Sequence, residues 1–311
     1  MIRPIQYLRG IAAMMVVWHH ALAQVAGTQN FIRLPQFGAY GVDLFFAISG
    51  FIMLVTTWDK DITPLEFAKH RIRRIVPLYW LATLLMVCSA IVAPLLFKTL
   101  RFDADSLLKS LFFIPYYSLS FPGLIQPLLV PGWSLNYEIF FYGLFALLLT
   151  VNREWRVRLM VGAMSILVVT GYVLHPGSAA FKVYTNPILL EFAAGMIAGR
   201  LWLTMKKDPH RDGGSAFMTA LGDASYSIYL THVFVLGILR VLWVRLVPAP
   251  TMESSVALMA LSLIVCALSG WLCFLWIEGP MNRWFAKSSA VVPARTGVPS
   301  EIPKKISEEN I

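Results

Sequence analysis

Charge is scarce in this sequence: only 14% of its 311 residues are Asp, Glu, Lys or Arg, and no long polar segment interrupts it. That excludes a separately folded soluble domain and leaves one membrane domain. Cysteine is scarce too. Cys88, Cys266 and Cys273 all fall inside apolar runs. Without metal-ligand spacing they read as small packing residues. There is no G-x-S-x-G, no phosphate-cradling glycine loop and no zinc-type spacing, which leaves serine-nucleophile and metal chemistry without support. There is no heptad array and no soluble linker. An internal repeat is missing as well, which argues against a transporter built from paired broken helices.

What is abundant is apolar surface. Hydrophobic residues make up 58% of the chain and the mean hydropathy is +0.66. Apolar runs of about 20 residues recur along the whole length, the profile of an all-α polytopic transmembrane bundle. Eight full spans are expected, near 5–25, 37–58, 75–97, 131–151, 158–174, 186–205, 219–246 and 254–278. The stretch 106–130 is broken by Pro115, Pro122, Gly123 and Pro127. It is expected to enter and leave on one side as a re-entrant segment or helical hairpin, giving ten spans if it counts as two.

The formal charge of +9 gathers between the spans. Lys60, Lys69, Arg71, Arg73 and Arg74 form one cluster, and Arg153, Arg156 and Arg158 a second. Arg200, Lys206, Lys207 and Arg211 form a third, and Arg283, Lys287, Arg295, Lys304 and Lys305 a fourth. Placing all four in the cytoplasm satisfies the positive-inside rule and predicts a multi-pass cell-membrane protein with both termini inside. The positive charge then meets anionic lipid and anionic ligands, not nucleic acid. Residues 1–286 read as the membrane domain and 287–311 as a disordered cytoplasmic tail. The N-terminal run ends in Ala21-Leu22-Ala23, like a cleavage site. The pair His19-His20 interrupts it and more spans follow, so an uncleaved first span is expected.

The polar residues within the spans carry the chemistry. Arg9 and His20 are eleven positions apart. On a helix this is three turns plus about 20°, so both lie on one face, roughly 16 Å apart along the axis. Ionisable residues are costly facing lipid, so they belong to the bundle interior. Counting rise from the expected span ends places His20, Asp43, Glu138, Glu191 and His232 in one layer, in the outer third of the membrane. A neutral His takes a proton from a hydroxyl near pH 7, and a carboxylate on its other nitrogen fixes its tautomer. Asp43 and Glu138 are the two candidates for that carboxylate. At the inner edge, Arg71, Arg73 and Arg74 suit bidentate phosphate binding, with topogenic charge as the plainer alternative. A donor with an anionic head and a reactive end threaded into the membrane fits this arrangement.

Plainer readings cover the rest. Phe45, Phe46, Phe140, Phe141 and Tyr142 read as packing, and Tyr116, Tyr117 and Trp133 as an outer aromatic belt. Ser49-Gly50 reads as a close helix contact, with a second role for Ser49 facing an acyl chain. His19, about 100° round the helix from His20, reads as structural. Glu191 pairs with a neighbouring donor, and Glu278 ends a helix at the inner surface beside a basic loop. The alternative function, from another class, is a proton-coupled transporter or flippase using the same histidines and carboxylates as a relay.

The same residues carry a resemblance. LRGIAAMMVVWHH, holding Arg9 and His20, resembles the opening motif of the membrane acyltransferase-3 family. GVDLFFAISGF (41–51) is similar to its second-helix signature, and RRIVPLYW (73–80) to its Arg-rich motif. WSLNYEIFFY (133–142), SYSIYLTH (225–232) and EGP (278–280) resemble its later motifs, in the same order. The IQYLRG opening and VPGWSLNYE look most like the branch that decorates exopolysaccharides. The resemblance implies transfer of an acyl group, usually acetyl, from cytoplasmic acyl-CoA (acetyl-CoA) across the bacterial inner membrane. The acceptor would be a hydroxyl of an exopolysaccharide or lipid-linked glycan. It implies no metal, and polysaccharide-assembly proteins and membrane lipid as partners. By position, His20 is the implied base or transient acyl carrier, and Arg9, Arg71 and Arg74 hold the coenzyme phosphates or shape its entry. Trp133, Ser134 and Glu138 line the site, and Arg73, Ser49, Tyr229 and His232 join the donor side. Some members carry a fused esterase-like domain that this sequence lacks, so a separate partner or direct transfer is expected.

Overall fold

A computed structural model describes residues 2–26, 37–94, 97, 99–175, 177–205, 214–247 and 251–289. Among them the chain is helical, with a single isolated β-bridge, Tyr117–Ile125. The helices in order are α1 (Arg3–Ala26), α2 (Tyr40–Thr57), α3 (Pro64–Val92), α4 (Ala104–Leu111), α5 (Gly132–Leu148) and α6 (Arg153–Leu174). Then follow α7 (Ala179–Tyr184), α8 (Leu189–Thr204), α9 (Ala216–Asp223), α10 (Ser225–Leu246), α11 (Met252–Cys273) and, after a π-turn at Phe274–Glu278, α12 (Gly279–Ser289). Lys206, Lys207, Arg211 and the tail from 290 onward lie outside the described residues.

Among the described residues, six segments are long and apolar enough to cross a membrane: Phe37–Thr57, Pro64–Val92, Arg153–Leu174, Ala179–Thr204, Ser225–Leu246 and Met252–Phe285. The all-α polytopic class therefore stands, with six such segments where eight spans were expected. α5, at 17 residues, is short. α1 has the length, at 24 residues, but carries Arg3, Gln6, Arg9, His19, His20 and Gln24.

α1 is the hub, packed against α2, α9, α10 and α11. α2 lies along α8 at very short range. A Cβ added at Gly195 would stand 1.9 Å from the Ala47 carbonyl oxygen, and one at Gly50 would stand 2.0 Å from that of Phe192. Small residues let the two backbones touch, the packing that substitutes for a hydrophobic driving force in lipid. At one end of the bundle, residues of the second and third basic clusters meet beside Trp58. Arg153 donates to Asp59 and Arg200 to Glu154, and both guanidinium groups lie over Trp58.

Three local departures from the expected spans shape the site. α3 starts at Pro64, eleven positions before the expected boundary, because Thr63 and Glu66 form a capping box with Pro at the first position. Arg71 and Arg74 thus sit inside a helix, not on a loop at its edge. The stretch 106–130 forms one short helix, α4, and an irregular return rather than a helical hairpin. Positive φ at Phe113 (56°) and Gly123 (84°) turns the chain. Ser110 pins the return: its hydroxyl meets Tyr116 and accepts from the Leu128 amide, while its carbonyl accepts from Tyr79 on α3. The expected 219–246 span breaks at Ala224 into α9 and α10. Gln6 of α1 donates to Asp223 at that break.

Candidate functional site

The arginines meet where α1, α3 and α5 converge. Arg71 and Arg74 are three apart on α3 and share a face, while Arg73 points about 200° away from Arg71. A cavity of about 100 Å³ is lined by Arg9, Arg71, Arg74, Ser49, Ser134, Glu138, Tyr142, Tyr226 and Tyr229, with an apolar wall from Val42 to Met53 and at Ile75 and Leu135. Arg73 and Trp133 are not among its lining residues. Trp133 packs edge-on to Tyr137, with ring centroids 5.9 Å apart.

The cavity is polar in an organised way. Glu138 accepts hydrogen bonds from the Ser49 hydroxyl at 2.9 Å and from the Tyr142 hydroxyl. Arg9 donates to Gln6 at 3.3 Å. The Arg71 guanidinium lies 5.3 Å from the Phe67 ring and 5.9 Å from the Tyr142 ring, and its buried Nε has no hydrogen-bond partner. A buried donor without a partner is costly, and an incoming anion is one way to satisfy it. Phosphate oxygens suit guanidinium donors in just this setting.

Towards the other end, Tyr229 closes the cavity. Its hydroxyl donates to the Pro131 carbonyl at 2.9 Å and lies 2.8 Å from the Ser134 hydroxyl. Its ring centroid is 6.0 Å from that of His232. His232 is fully buried, and its ring stacks on His20 with centroids 5.1 Å apart. Nδ1 of His232 lies 2.6 Å from the Tyr229 carbonyl oxygen. A carbonyl only accepts, so Nδ1 carries the proton and Nε2 is left as the basic nitrogen. That Nε2 is buried without a partner. His19 sits edge-on to His20 at 5.3 Å.

The five ionisable residues expected in one layer separate into three places. His20 and His232 are together. Asp43 and Glu191 feel each other's charge across the α2–α8 contact and are both partly exposed. Glu138 is with the arginines, and no described hydrogen bond links it or Asp43 to His20. The expectation that one of these carboxylates orients His20 therefore gives way to a stacked second histidine. The reason is the irregular return at 112–131. It delivers Pro131 and Ser134 to Tyr229, and α5 then carries Glu138 into the arginine cavity.

The sequence reading takes Tyr142 as packing, Glu278 as a helix end and gives Tyr226 no role of its own, and the structure puts Tyr142 and Tyr226 in the cavity wall. Tyr142 is four residues after Glu138 and Tyr226 three before Tyr229, so the helical spacing already put each beside a motif residue. Glu278, read as a surface residue, is buried and accepts from Ser227 at 2.6 Å.

Residues 3–218 match the acyltransferase domain of the acyltransferase-3 family. The chain is similar to the exopolysaccharide production protein ExoZ of Rhizobium meliloti, 46% identical over 185 residues that cover 60% of this chain and 57% of that protein. It is similar to protein 2 in the picA locus of Rhizobium radiobacter, 31% identical over 56% of this chain and 93% of that protein. A more distant similarity is to the peptidoglycan O-acetyltransferase OatA of Listeria monocytogenes, 27% identical over 63% of this chain and 33% of that protein. The match thus spans a little over half of ExoZ and a third of OatA. No solved structure matches.

Proposed function

The chain belongs to the acyltransferase-3 family, and from that premise we propose that it is a membrane O-acetyltransferase drawing on acetyl-CoA at the arginine end of the bundle. The acceptor is a hydroxyl of an exopolysaccharide or of a lipid-linked glycan, reached from the histidine end. The arginine end faces the cytoplasm in this reading, as the gathering of basic residues around Trp58 and Arg153 favours.

One observation carries the proposal: a cavity walled by three arginines runs up to Tyr229, and the next ring beyond Tyr229 is that of a stacked histidine pair. Arg9, Arg71 and Arg74 take the coenzyme's phosphates. The apolar wall formed by Val42, Phe45, Phe46, Ile48, Ile52 and Met53 accompanies the uncharged arm inward. The acceptor oxygen attacks the thioester carbonyl carbon while its proton passes to the imidazole of His20. The carbon–sulfur bond then breaks, and the sulfur leaves as the thiol after taking that proton. A positioned imidazole of this kind contributes about 10²–10⁴-fold. Tyr229 must shift for the two regions to join, since it stands between them.

The test uses the purified protein in lipid nanodiscs with acetyl-CoA and its polysaccharide fraction. Acetyl transfer by the wild type, lost in His20→Ala while the variant remains folded, is the expected result. Transfer that survives in His20→Ala removes the mechanism.

A further inference from the structure

Glu278 has no part in the proton transfer above and does not line the arginine cavity, yet it is buried just behind the cavity wall. The π-turn at Phe274–Glu278 puts it there. The Gly279 amide donates to the Phe274 carbonyl, five residues back, so the turn holds one residue more than an α-turn. Leu275, Trp276 and Ile277 remain on the outside, while Glu278 is 2% exposed. Ser227 donates to its Oε2 at 2.6 Å. The neighbouring Tyr226 is a wall of the arginine cavity. The carboxylate is within electrostatic range of both Arg9 and Arg74.

It does so without clamping them. Among the described residues, the ion pairs within 4.0 Å are Lys109–Asp105, Arg153–Asp59 and Arg200–Glu154, none of which involves Glu278. The hydrogen bond from Ser227 holds the carboxylate one step back, so the arginines stay open to a ligand while their charge is partly balanced. Burying several like charges without a counter-charge is expensive. A carboxylate fixed at this position lowers that cost when the site is empty, and it repels an anion when the site is full.

Resting on the reading that the arginine cavity takes acyl-CoA, we infer that Glu278 is a second counter-ion of that cavity, set behind its wall where Glu138 lines it, and sets how readily the CoA product leaves. The sign of the effect separates this role from a structural one. Loss of a structural support weakens binding. Loss of a repelling charge strengthens it.

The experiment measures equilibrium binding of radiolabelled CoA to the full chain in nanodiscs, for the wild type, Glu278→Gln and Ser227→Ala. Glu278→Gln keeps the shape and removes the charge. It is expected to bind CoA roughly tenfold more tightly, the order of a unit charge acting at about 8–10 Å in a semi-polar interior. Its turnover at saturating acetyl-CoA falls, because release slows. Ser227→Ala frees the carboxylate to swing onto an arginine and is expected to bind CoA several-fold more weakly. Unchanged or weaker CoA binding in Glu278→Gln overturns the inference. Should that variant fail to fold, Glu278→Ala decides, and unchanged or weaker CoA binding there overturns it. A wild type that binds no CoA fells the underlying reading of the cavity, and that arm is read before any variant.

Discussion

The imidazole of His20 lies face to face with that of His232, centroids 5.1 Å apart and planes inclined by 29°. The two come from opposite parts of the sequence, on α1 and α10, and each limits what the other can do. Two stacked imidazoles in a buried site cannot both be charged at low cost. At most one of them is therefore charged at a time, and the ring that takes the acceptor's proton needs the other neutral. Replacing His20 by Ala is expected to reduce acetyl transfer by 10²-fold or more, the usual weight of a general base. Replacing His232 by Ala leaves His20 in place without its ring partner, and a smaller loss is expected, about tenfold. Initial rates of acetyl transfer in nanodiscs, with expression and melting temperature as folding controls, check both. Equal losses in the two variants would show that the pair acts as a unit.

Arg71 and Arg74 line the cavity, and Arg73 between them does not. Charge-assisted hydrogen bonds are worth about 1.5–3 kcal/mol each, or roughly 10–100-fold in binding. Arg71→Ala and Arg74→Ala are each expected to raise KM for acetyl-CoA by that factor with less effect on kcat. Arg73→Ala is expected to change KM less than twofold. Steady-state kinetics of the three variants, with acetyl-CoA varied, is the measurement. A topogenic role alone would make all three alike, with lower expression and unchanged KM.

The fold class was legible because apolar runs and basic loops follow from the bilayer itself. The pairing of Arg9 with His20 on one face was legible from helix period alone. The partner of His20 was not. Counting rise along each span does not say which spans face one another, and two are placed by ties between segments. The segment before α5 is irregular and hydrogen-bonded through Ser110. α10 starts at Ser225 because Asp223 of α9 is tied to Gln6. Neither tie has a signature in local sequence, since Ser110 reaches on to Leu128 and Gln6 across to Asp223. Glu278 was missed for a similar reason: a π-turn changes helix register by one residue, and hydropathy does not report register.

Tyr229 stands between the arginine cavity and the histidines, held by the Pro131 carbonyl and the Ser134 hydroxyl. Tyr229→Phe keeps the ring and removes both bonds. A hydrogen bond of this type contributes about 1 kcal/mol. The expected outcome is a modest fall in thermal stability together with faster hydrolysis of acetyl-CoA in the absence of acceptor, because the barrier between the two regions opens more often. A thiol-release assay without acceptor follows the second effect. Hydrolysis unchanged from wild type would show that Tyr229 is a strut and not a gate.

The α2–α8 contact gives the most direct test of the fold itself. Gly50 and Gly195 face carbonyl oxygens of the opposite helix, and a Cβ at either would come within 2.0 Å of one. Backbone cannot yield as a flexible side chain would, so the two helices must part. Ser49, beside Gly50, is the donor to Glu138, so parting the helices also withdraws a hydrogen bond from the arginine cavity. Gly195→Val is therefore expected to lower the melting temperature markedly and to abolish transfer, and Gly50→Ala to do both more weakly. Gly143 on α5 is the control, since an added Cβ there meets nothing within 4 Å. Gly143→Ala is expected to be neutral or slightly stabilising, by up to about 1 kcal/mol from helix propensity. Fluorescence-detected size exclusion after a heating series ranks the three. If Gly195→Val matches Gly143→Ala, the close approach of α2 and α8 is wrong, and with it the route by which Ser49 reaches Glu138.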